Sequence, residues 1–115
     1  MATSTAEDEG SYADDAPLMA LFGSPARTKL VSVFVAEQGR DLTVSEISRQ
    51  ADVSRTTVYD HLDELLELGV IKESRATNDG HSTLYQLNDD SDIAELCYQL
   101  EGITLRKLLE NDGQM

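Results

Sequence analysis

The sequence has little cysteine and few basic residues, and each shortage excludes a class of protein. One cysteine in 115 residues cannot form an internal disulfide, so the chain is not a disulfide-stapled secreted scaffold. The 9 Lys and Arg face 22 Asp and Glu, which gives a formal net charge of -13. That balance argues against a nucleic-acid partner, because phosphate binding usually leaves a basic surface.

Long apolar runs are also absent from the sequence. It begins without the basic and apolar regions of a signal peptide, and no run reaches the roughly 18 apolar residues of a membrane span. We therefore expect a cytoplasmic protein with no membrane partner. The 40% hydrophobic and 27% charged residues are typical of a globular chain, and the length suits one domain.

The negative charge is distributed unevenly along the chain. Residues 24–60 carry five acids and five bases and are neutral, whereas the segments on either side are net negative. Chance in a short window and a surface that approaches an anion explain this neutral stretch about equally well.

The acids outside that stretch are spread evenly, and Arg outnumbers Lys by six to three. Molar salt shortens the Debye length to about 3 Å, so the repulsion between surface carboxylates nearly vanishes in a salt-accumulating cell. The even spread therefore favours a halophilic protein over an ordinary acidic interaction protein.

Composition and periodicity divide the chain into three parts. We expect residues 1–15 to be an acidic segment without fixed structure, residues 16–88 to form the folded domain, and residues 89–115 to form a terminal helix.

Capping residues and apolar spacing predict the elements of the domain. Thr43 and Glu46 form a capping box, Ser54 can cap the helix that follows, and Asn78-Asp79-Gly80 is a strong hairpin signal. The predicted helices span residues 17–22, 25–39, 43–51, 54–68 and 91–110, and the predicted strands span 70–75 and 81–87.

A short capped helix, a tight turn, a longer capped helix and a hairpin are the parts of a winged helix-turn-helix. Residues 54–71, Ser-Arg-Thr-Thr-Val-Tyr-Asp-His-Leu-Asp-Glu-Leu-Leu-Glu-Leu-Gly-Val-Ile, resemble the recognition-helix signature of archaeal and bacterial regulators of the ArsR, MarR, PadR and TrmB types. The resemblance covers about residues 24–88. With the halophile composition, the chain resembles the haloarchaeal members of this group, which include a regulator of the response to reactive oxygen species.

The resemblance implies a mainly α fold with a small β-hairpin wing and a C-terminal dimerisation helix. It also implies a homodimer that binds promoter DNA in the cytoplasm, at the nucleoid, and regulates transcription, here in a stress response. A winged-helix module that binds protein within the transcription machinery is the alternative, and an RNA-binding module is a weaker one.

The first turns of the helix over 54–68 supply the side chains that would contact DNA. Arg55 can pair with guanine O6 and N7 or with a phosphate, and Tyr59 can stack or donate to the backbone. Asp60 can accept from cytosine, orient Arg55 or simply be solvated. The predicted DNA-binding residues are Thr43, Ser45, Arg49, Ser54, Arg55, Thr56, Thr57, Tyr59, Arg75 and His81.

Each of these assignments has a structural alternative. Helix capping without DNA contact explains Ser54, Thr56 and Thr57, and a solvated hairpin tip explains Arg75 and His81. Outside that set, Arg27 and Lys29 are further candidate anchors for phosphate. His61 is expected to be a packed structural histidine.

The apolar stripe of the last helix can pack on the domain itself or pair with a second copy of the chain, and we favour the dimer. The residues predicted at the dimer interface are Ile93, Leu96, Cys97, Leu100, Ile103 and Leu108. A lone cysteine on such a stripe is usually a small core residue, with redox sensing as the less favoured alternative.

The sequence contains no Cys and His cluster, Gly-rich phosphate loop or nucleophile-base pair. We therefore expect no cofactor, no metal and no enzymatic activity. Because carboxylates near DNA take up cations, we expect inorganic cations and anions at the DNA interface and the acidic surface, and a weak or inverted dependence of binding on salt.

Overall fold

The computed structural model describes residues 11–74 and 83–113, in which helices and a two-stranded antiparallel sheet follow one another along the chain. A 3-10 turn at Tyr12–Asp15 comes first. The remaining elements are α1 (Met19–Phe22), α2 (Pro25–Ala36), α3 (Val44–Ala51), α4 (Arg55–Glu67), β1 (Ile71–Ser74), β2 (Leu84–Leu87) and α5 (Asp92–Asn111). The predicted fold class, mainly α with a hairpin wing and a C-terminal helix, is confirmed.

One hydrophobic core joins α2, α3, α4, the sheet and the start of α5. Its fully buried side chains include Leu30 and Phe34 from α2, Ile47 from α3 and Leu65 from α4. Helix α2 is buried over much of its circumference, at Leu30, Val31, Val33, Phe34 and Val35. On α3 and α4 the buried residues follow the helical spacing, so each of these two helices buries one stripe and exposes the opposite face. The outward face of α4 is thereby left to solvent.

The turn between α3 and α4 is held by specific hydrogen bonds. Ser48 Oγ donates to the carbonyl oxygen of Val53 at 2.6 Å, and the Val53 amide donates to the Ser48 carbonyl oxygen at 3.1 Å. Asp52 between them adopts the left-handed conformation at φ 58, which aspartate tolerates better than most residues. These contacts fix the angle between the two helices.

The predicted caps of both helices are present. Thr43 Oγ1 accepts from the Glu46 amide at 3.1 Å while the Glu46 carboxylate accepts from the Thr43 amide at 2.9 Å. Ser54 Oγ accepts from the Thr57 amide at 3.0 Å at the start of α4. Both helices therefore begin where the sequence indicates.

The wing pairs β1 with β2, with Ile71 opposite Leu87 and Ser74 opposite Leu84. Leu42 adds a bridge to Tyr85 on the other edge of β2, with amide-to-carbonyl distances of 2.8 and 2.9 Å. The link before α3 thus attaches the wing to the helix-turn-helix.

The start of the chain departs from the prediction in two places. Residues 12–15 form a 3-10 turn where no fixed structure was expected, because the Ser11 amide donates to the Asp14 carboxylate at 3.0 Å and the Asp14 amide donates to the Ser11 carbonyl at 3.0 Å. Helix α1 begins at Met19 rather than at Pro17, which lies in the preceding turn.

Helix α5 is anchored at one end only. Ala94 and Cys97 are buried on the domain, whereas every residue from Tyr98 to Asn111 is exposed. At 1.5 Å per residue, this exposed part extends for about 20 Å. No helix of the described residues is long and apolar enough to span a lipid bilayer.

We predict that Ser48→Ala lowers the free energy of unfolding by about 1 kcal/mol, because the half-buried Val53 carbonyl loses its side-chain donor. Urea denaturation followed by circular dichroism measures this change. Ser32→Ala on α2, whose hydroxyl has no hydrogen-bond partner among the residues described, is the control and should not destabilise the chain. Equal stability of the two variants would contradict this role for Ser48.

Candidate nucleic-acid interface

An open cleft of about 470 Å³ lies where the starts of α3 and α4 face the wing. Its lining residues are Thr43, Val44, Ser45, Arg55, Tyr59, Thr83 and Tyr85. None of them is acidic, although 22 of the 115 residues of the chain are Asp or Glu. The lining thus carries one positive charge and several hydroxyl groups.

Arg55 and Ser45, both predicted as DNA-binding residues, meet in this cleft. Arg55 Nη2 donates to Ser45 Oγ at 2.6 Å, so the first turn of α4 is linked to the first turn of α3. The hydroxyl of Ser45 accepts this bond and keeps its own proton free to donate. Asp60, considered as a partner that orients Arg55, is exposed elsewhere on α4.

The other predicted residues on α3 and α4 divide into two groups. Thr43, Ser54 and Thr57 use their side chains in helix caps, and the hydroxyls of Ser54 and Thr57 lie 2.9 Å apart. Thr56 and Tyr59 are exposed on the outward face of α4, and Tyr59 is 59% exposed. The outward group is therefore the one available to a ligand.

Three predicted anchors lie away from that face or outside the described residues. Arg49 is exposed one turn after Ser45 on α3. The predicted wing residues Arg75 and His81 lie outside the residues that the structure describes.

The expectation that Arg27 anchors phosphate is wrong. Its guanidinium is 11% exposed and donates to the Ala20 carbonyl at 2.7 Å, to His61 Nδ1 at 3.0 Å and to the Glu64 carboxylate. These bonds tie α1 and α2 to the back of α4 and agree with His61 as a packed structural histidine. The hydrogen bond from Arg27 also lowers the pKa of Glu64, with the charge of the guanidinium adding to the effect.

Tyr85 and Thr83 belong to the cleft but were missed by the sequence analysis. Tyr85 is 9% exposed, and burial raises the pKa of its phenol, with smaller contributions from the neighbouring carboxylates of Glu73 and Asp63. The sequence held one signal for it. Strand alternation places Tyr85 on the same buried face as Leu87. A tyrosine on a buried strand face brings a hydroxyl group that needs a hydrogen-bond partner or solvent, which marks the position as a candidate for the site.

A second surface, distinct from the cleft, runs along α5. Its exposed apolar side chains include the predicted Ile93, Leu96, Leu100 and Ile103, which successive 100° steps around the helix place within an arc of about 80°. The predicted Leu108 is exposed, and so are Tyr98, Leu105 and Leu109, which the prediction left out.

Cys97 does not belong to that exposed surface. It was predicted at the dimer interface, but its side chain is 6% exposed and packs in the core of its own domain. Its place on the helix, about 100° from Leu96, turns it toward α2. Burial also raises the pKa of the thiol, which disfavours the reactive thiolate that redox sensing requires.

Within residues 11–74 and 83–113, no group of three or more His, Cys, Asp or Glu side chains is placed to hold a metal ion.

Comparison with known proteins gives a domain and a set of similar structures. Residues 22–74 match the family model described as a helix-turn-helix domain. No curated protein matches the chain in sequence.

Similar solved structures are bacterial regulators. The transcriptional repressor BigR from Xylella fastidiosa has 22% identity and a TM-score of 0.63, with 90% of this chain and 94% of that one covered. A ZitR variant from Lactococcus lactis, solved in complex with DNA, has 26% identity and a TM-score of 0.59 over 76% of this chain. ZitR itself, a zinc-responsive MarR family member, has 27% identity and a TM-score of 0.57 over 79% of this chain.

The extent of these matches differs. The chain spans 57% of the length of the DNA-bound ZitR chain, whereas it spans nearly all of BigR. The matched domain and the shared architecture agree with the order of elements described above. The chain therefore contains a helix-turn-helix domain and has the winged helix-turn-helix fold.

Proposed function

We propose that the chain is a sequence-specific DNA-binding transcription regulator that places α4 in the major groove of double-stranded DNA. The observation that carries the proposal is the polar, exposed first half of α4, where Arg55, Thr56 and Tyr59 face solvent beside a cleft whose described lining residues include no Asp or Glu. The similarity to ZitR, a structure of which contains DNA, supports it.

The geometry of α3 and α4 suits this task. The apolar side of α4 is fixed by Val58, Leu62 and Leu65 in the core, so its outward side chains have a defined direction. Helix α3 braces it through the bonds of the intervening turn and through the contact of Arg55 with Ser45. A helix held in this way can enter a major groove by its N-terminal half.

The composition of the cleft favours DNA over a protein partner. A protein-binding module of this acidic chain has no evident reason to exclude carboxylates from one cleft. A phosphate-bearing ligand supplies such a reason, because like charges at the contact would repel.

We predict that Arg55→Ala weakens binding to a duplex selected from a random pool by about 1–3 kcal/mol, since either a base contact or a phosphate contact is lost. Fluorescence anisotropy of the labelled duplex measures the affinity. Arg106→Ala removes the same charge from the exposed part of α5 and should bind as the unsubstituted chain does. Equal affinities of the two variants, or no duplex binding by the unsubstituted chain, would overturn the proposal.

The proposed regulator works at high salt, as the acidic composition of a halophile implies. Helix α4 exposes Asp60 and Asp63 against one arginine, Arg55, whereas Glu64 is paired with Arg27 on the back of the helix. The outward face of α4, where DNA would lie, is therefore net negative. Cations must then fill the space between the exposed carboxylates and the phosphates. DNA binding would take up cations rather than only release them.

We predict that the affinity for the selected duplex changes little, or rises, between about 0.2 and 2 M KCl, because cation uptake offsets counterion release. Anisotropy titrations at each salt concentration give the slope. Replacing Asp60 and Asp63 by asparagine should make the slope more negative by up to about one ion per carboxylate removed. A steep loss of affinity with salt in the unsubstituted chain would contradict cation uptake.

We further propose that the chain is a homodimer joined through α5. The exposed part of this helix carries leucine and isoleucine side chains that are 53–57% exposed at Leu100, Ile103, Leu105 and Leu108. A free helix with so much apolar surface is unusual in a monomer. Two-fold pairing would cover it and place two copies of α4 about 34 Å apart, one turn of DNA.

The assignment to an oxidative-stress response rests on the resemblance of the sequence alone. The burial of Cys97 gives it no support.

We predict that Leu100→Glu converts the dimer to a monomer at micromolar concentration, because it buries an unpaired charge in the apolar contact. Size-exclusion chromatography with light scattering reports the mass. Gln99→Glu adds the same charge about 100° away on the polar side of α5 and should leave the dimer intact. A monomeric unsubstituted chain would exclude this assembly.

A further inference from the structure

Arg55 at the start of α4 is held by a neutral partner rather than by a carboxylate. Its Nη2 donates to Ser45 Oγ at 2.6 Å, and it forms no ion pair with an acid in the described part of the chain. Arg27, by contrast, donates to the carboxylate of Glu64, which pairs its charge. The guanidinium of Arg55 therefore has a set direction and keeps its positive charge for a ligand.

Ser45 is the fixed member of this pair. It is half-buried in the first turn of α3, between the buried side chains of Val44 and Ile47. The capping box of α3 holds the backbone of the same turn. Arg55 is exposed on the neighbouring helix, so its long side chain takes its direction from the serine.

The bond to Ser45 leaves Arg55 able to bind a ligand with two parallel hydrogen bonds. A guanidinium carries five N–H groups in a planar fork, and the two hydrogens on Nη2 belong to different edges of that fork. Because Ser45 Oγ accepts one of them, the other edge keeps both of its parallel N–H groups. In the major groove, guanine presents two adjacent acceptors, O6 and N7, that match such an edge.

The position of Arg55 favours a base over a phosphate. Arg55 is the first residue of α4, and the N-terminal residues of a recognition helix contact base edges. A base edge lies in the plane of its base pair, so a guanidinium makes both bonds to it in one orientation only. An acceptor on a second, fixed helix can set that orientation in advance.

We propose that Arg55 binds O6 and N7 of one guanine for each copy of the chain on DNA, and that Ser45 is the positioning residue that orients its guanidinium. The inference rests on the proposed function and names one base that the regulator reads. Ser45 acts through Arg55, because a side chain that is already oriented loses less freedom on binding.

The test compares Ser45→Ala, Arg55→Ala and the doubly substituted chain with the unsubstituted full-length chain. Ser45→Thr keeps the hydroxyl and is the rescue variant, and Ser32→Ala on α2 is the matched control. Affinities are measured by anisotropy on a duplex selected from a random pool. The same duplex is then prepared with single guanines replaced by deazaguanine, in which carbon replaces N7 and the pairing to cytosine is kept.

We expect deazaguanine at one position for each bound copy to weaken the unsubstituted chain about tenfold, and Arg55→Ala to be insensitive at that position. Ser45→Ala should weaken binding to the selected duplex about three- to tenfold and narrow the preference for guanine over deazaguanine. Ser45→Thr should restore both, and Ser32→Ala should bind as the unsubstituted chain does. In the Arg55→Ala background, Ser45→Ala should have no further effect.

Three results would overturn the assignment. If no guanine responds to deazaguanine, or if Arg55→Ala responds as the unsubstituted chain does, Arg55 reads no guanine, although the proposed function survives. If Ser45→Ala weakens binding by the same factor with and without Arg55, the serine acts independently of the arginine. An unsubstituted chain that binds no duplex would remove the proposed function and this inference together.

Discussion

The backbone bridge between Leu42 and Tyr85 is the constraint on which the candidate site depends. Two hydrogen bonds of 2.8 and 2.9 Å attach the residue before the α3 cap to the middle of β2. This pairing carries the wing up to the first turns of α3 and α4, and it also buries the ring of Tyr85. Together with the core packing of Ile71 and Leu87, it holds the hairpin against the helix-turn-helix on the side where the cleft lies.

The net charge of the chain and the charge of the cleft residues differ in sign. A formal net charge of -13 first argued against a polyanionic ligand, yet the cleft residues within the described part of the chain are one arginine, several hydroxyl-bearing residues and a valine, without an acid. The Glu46 carboxylate accepts a hydrogen bond from the amide of the cleft residue Thr43, while Asp60 and Asp63 lie exposed on α4, where salt can screen them. In the proposed halophilic DNA-binding protein, the overall charge belongs to the salt-rich solvent and the composition of the cleft belongs to the ligand.

Sequence reasoning succeeded where structure is set by neighbours in the chain and failed where it depends on tertiary contact. The caps at Thr43 and Ser54 and the apolar stripe of α4 are local patterns, and the structure contains them. Arg27 was misassigned because its partners His61 and Glu64 lie more than 30 residues away. The position of Tyr85 depends on the bridge to Leu42, 43 residues earlier, and no local pattern encodes that distance.

Helix α5 shows both kinds of determinant in one element: its start is fixed by tertiary contacts, and the rest continues as a regular helix. It also links the cleft to the proposed dimer surface. Its first turns are fixed to the domain by Ala94 and Cys97, and Lys72 of β1 lies 3.6 Å from Asp89 at its entry. The remaining turns are exposed and carry several leucine and isoleucine side chains, so the fixed part sets their direction and the proposed second copy of the chain would cover them. Because that orientation is set within a few residues of β2, pairing through α5 would also determine the distance between two clefts. In the proposed dimer, the length and direction of the exposed part of α5 would therefore set the spacing of the two DNA contacts.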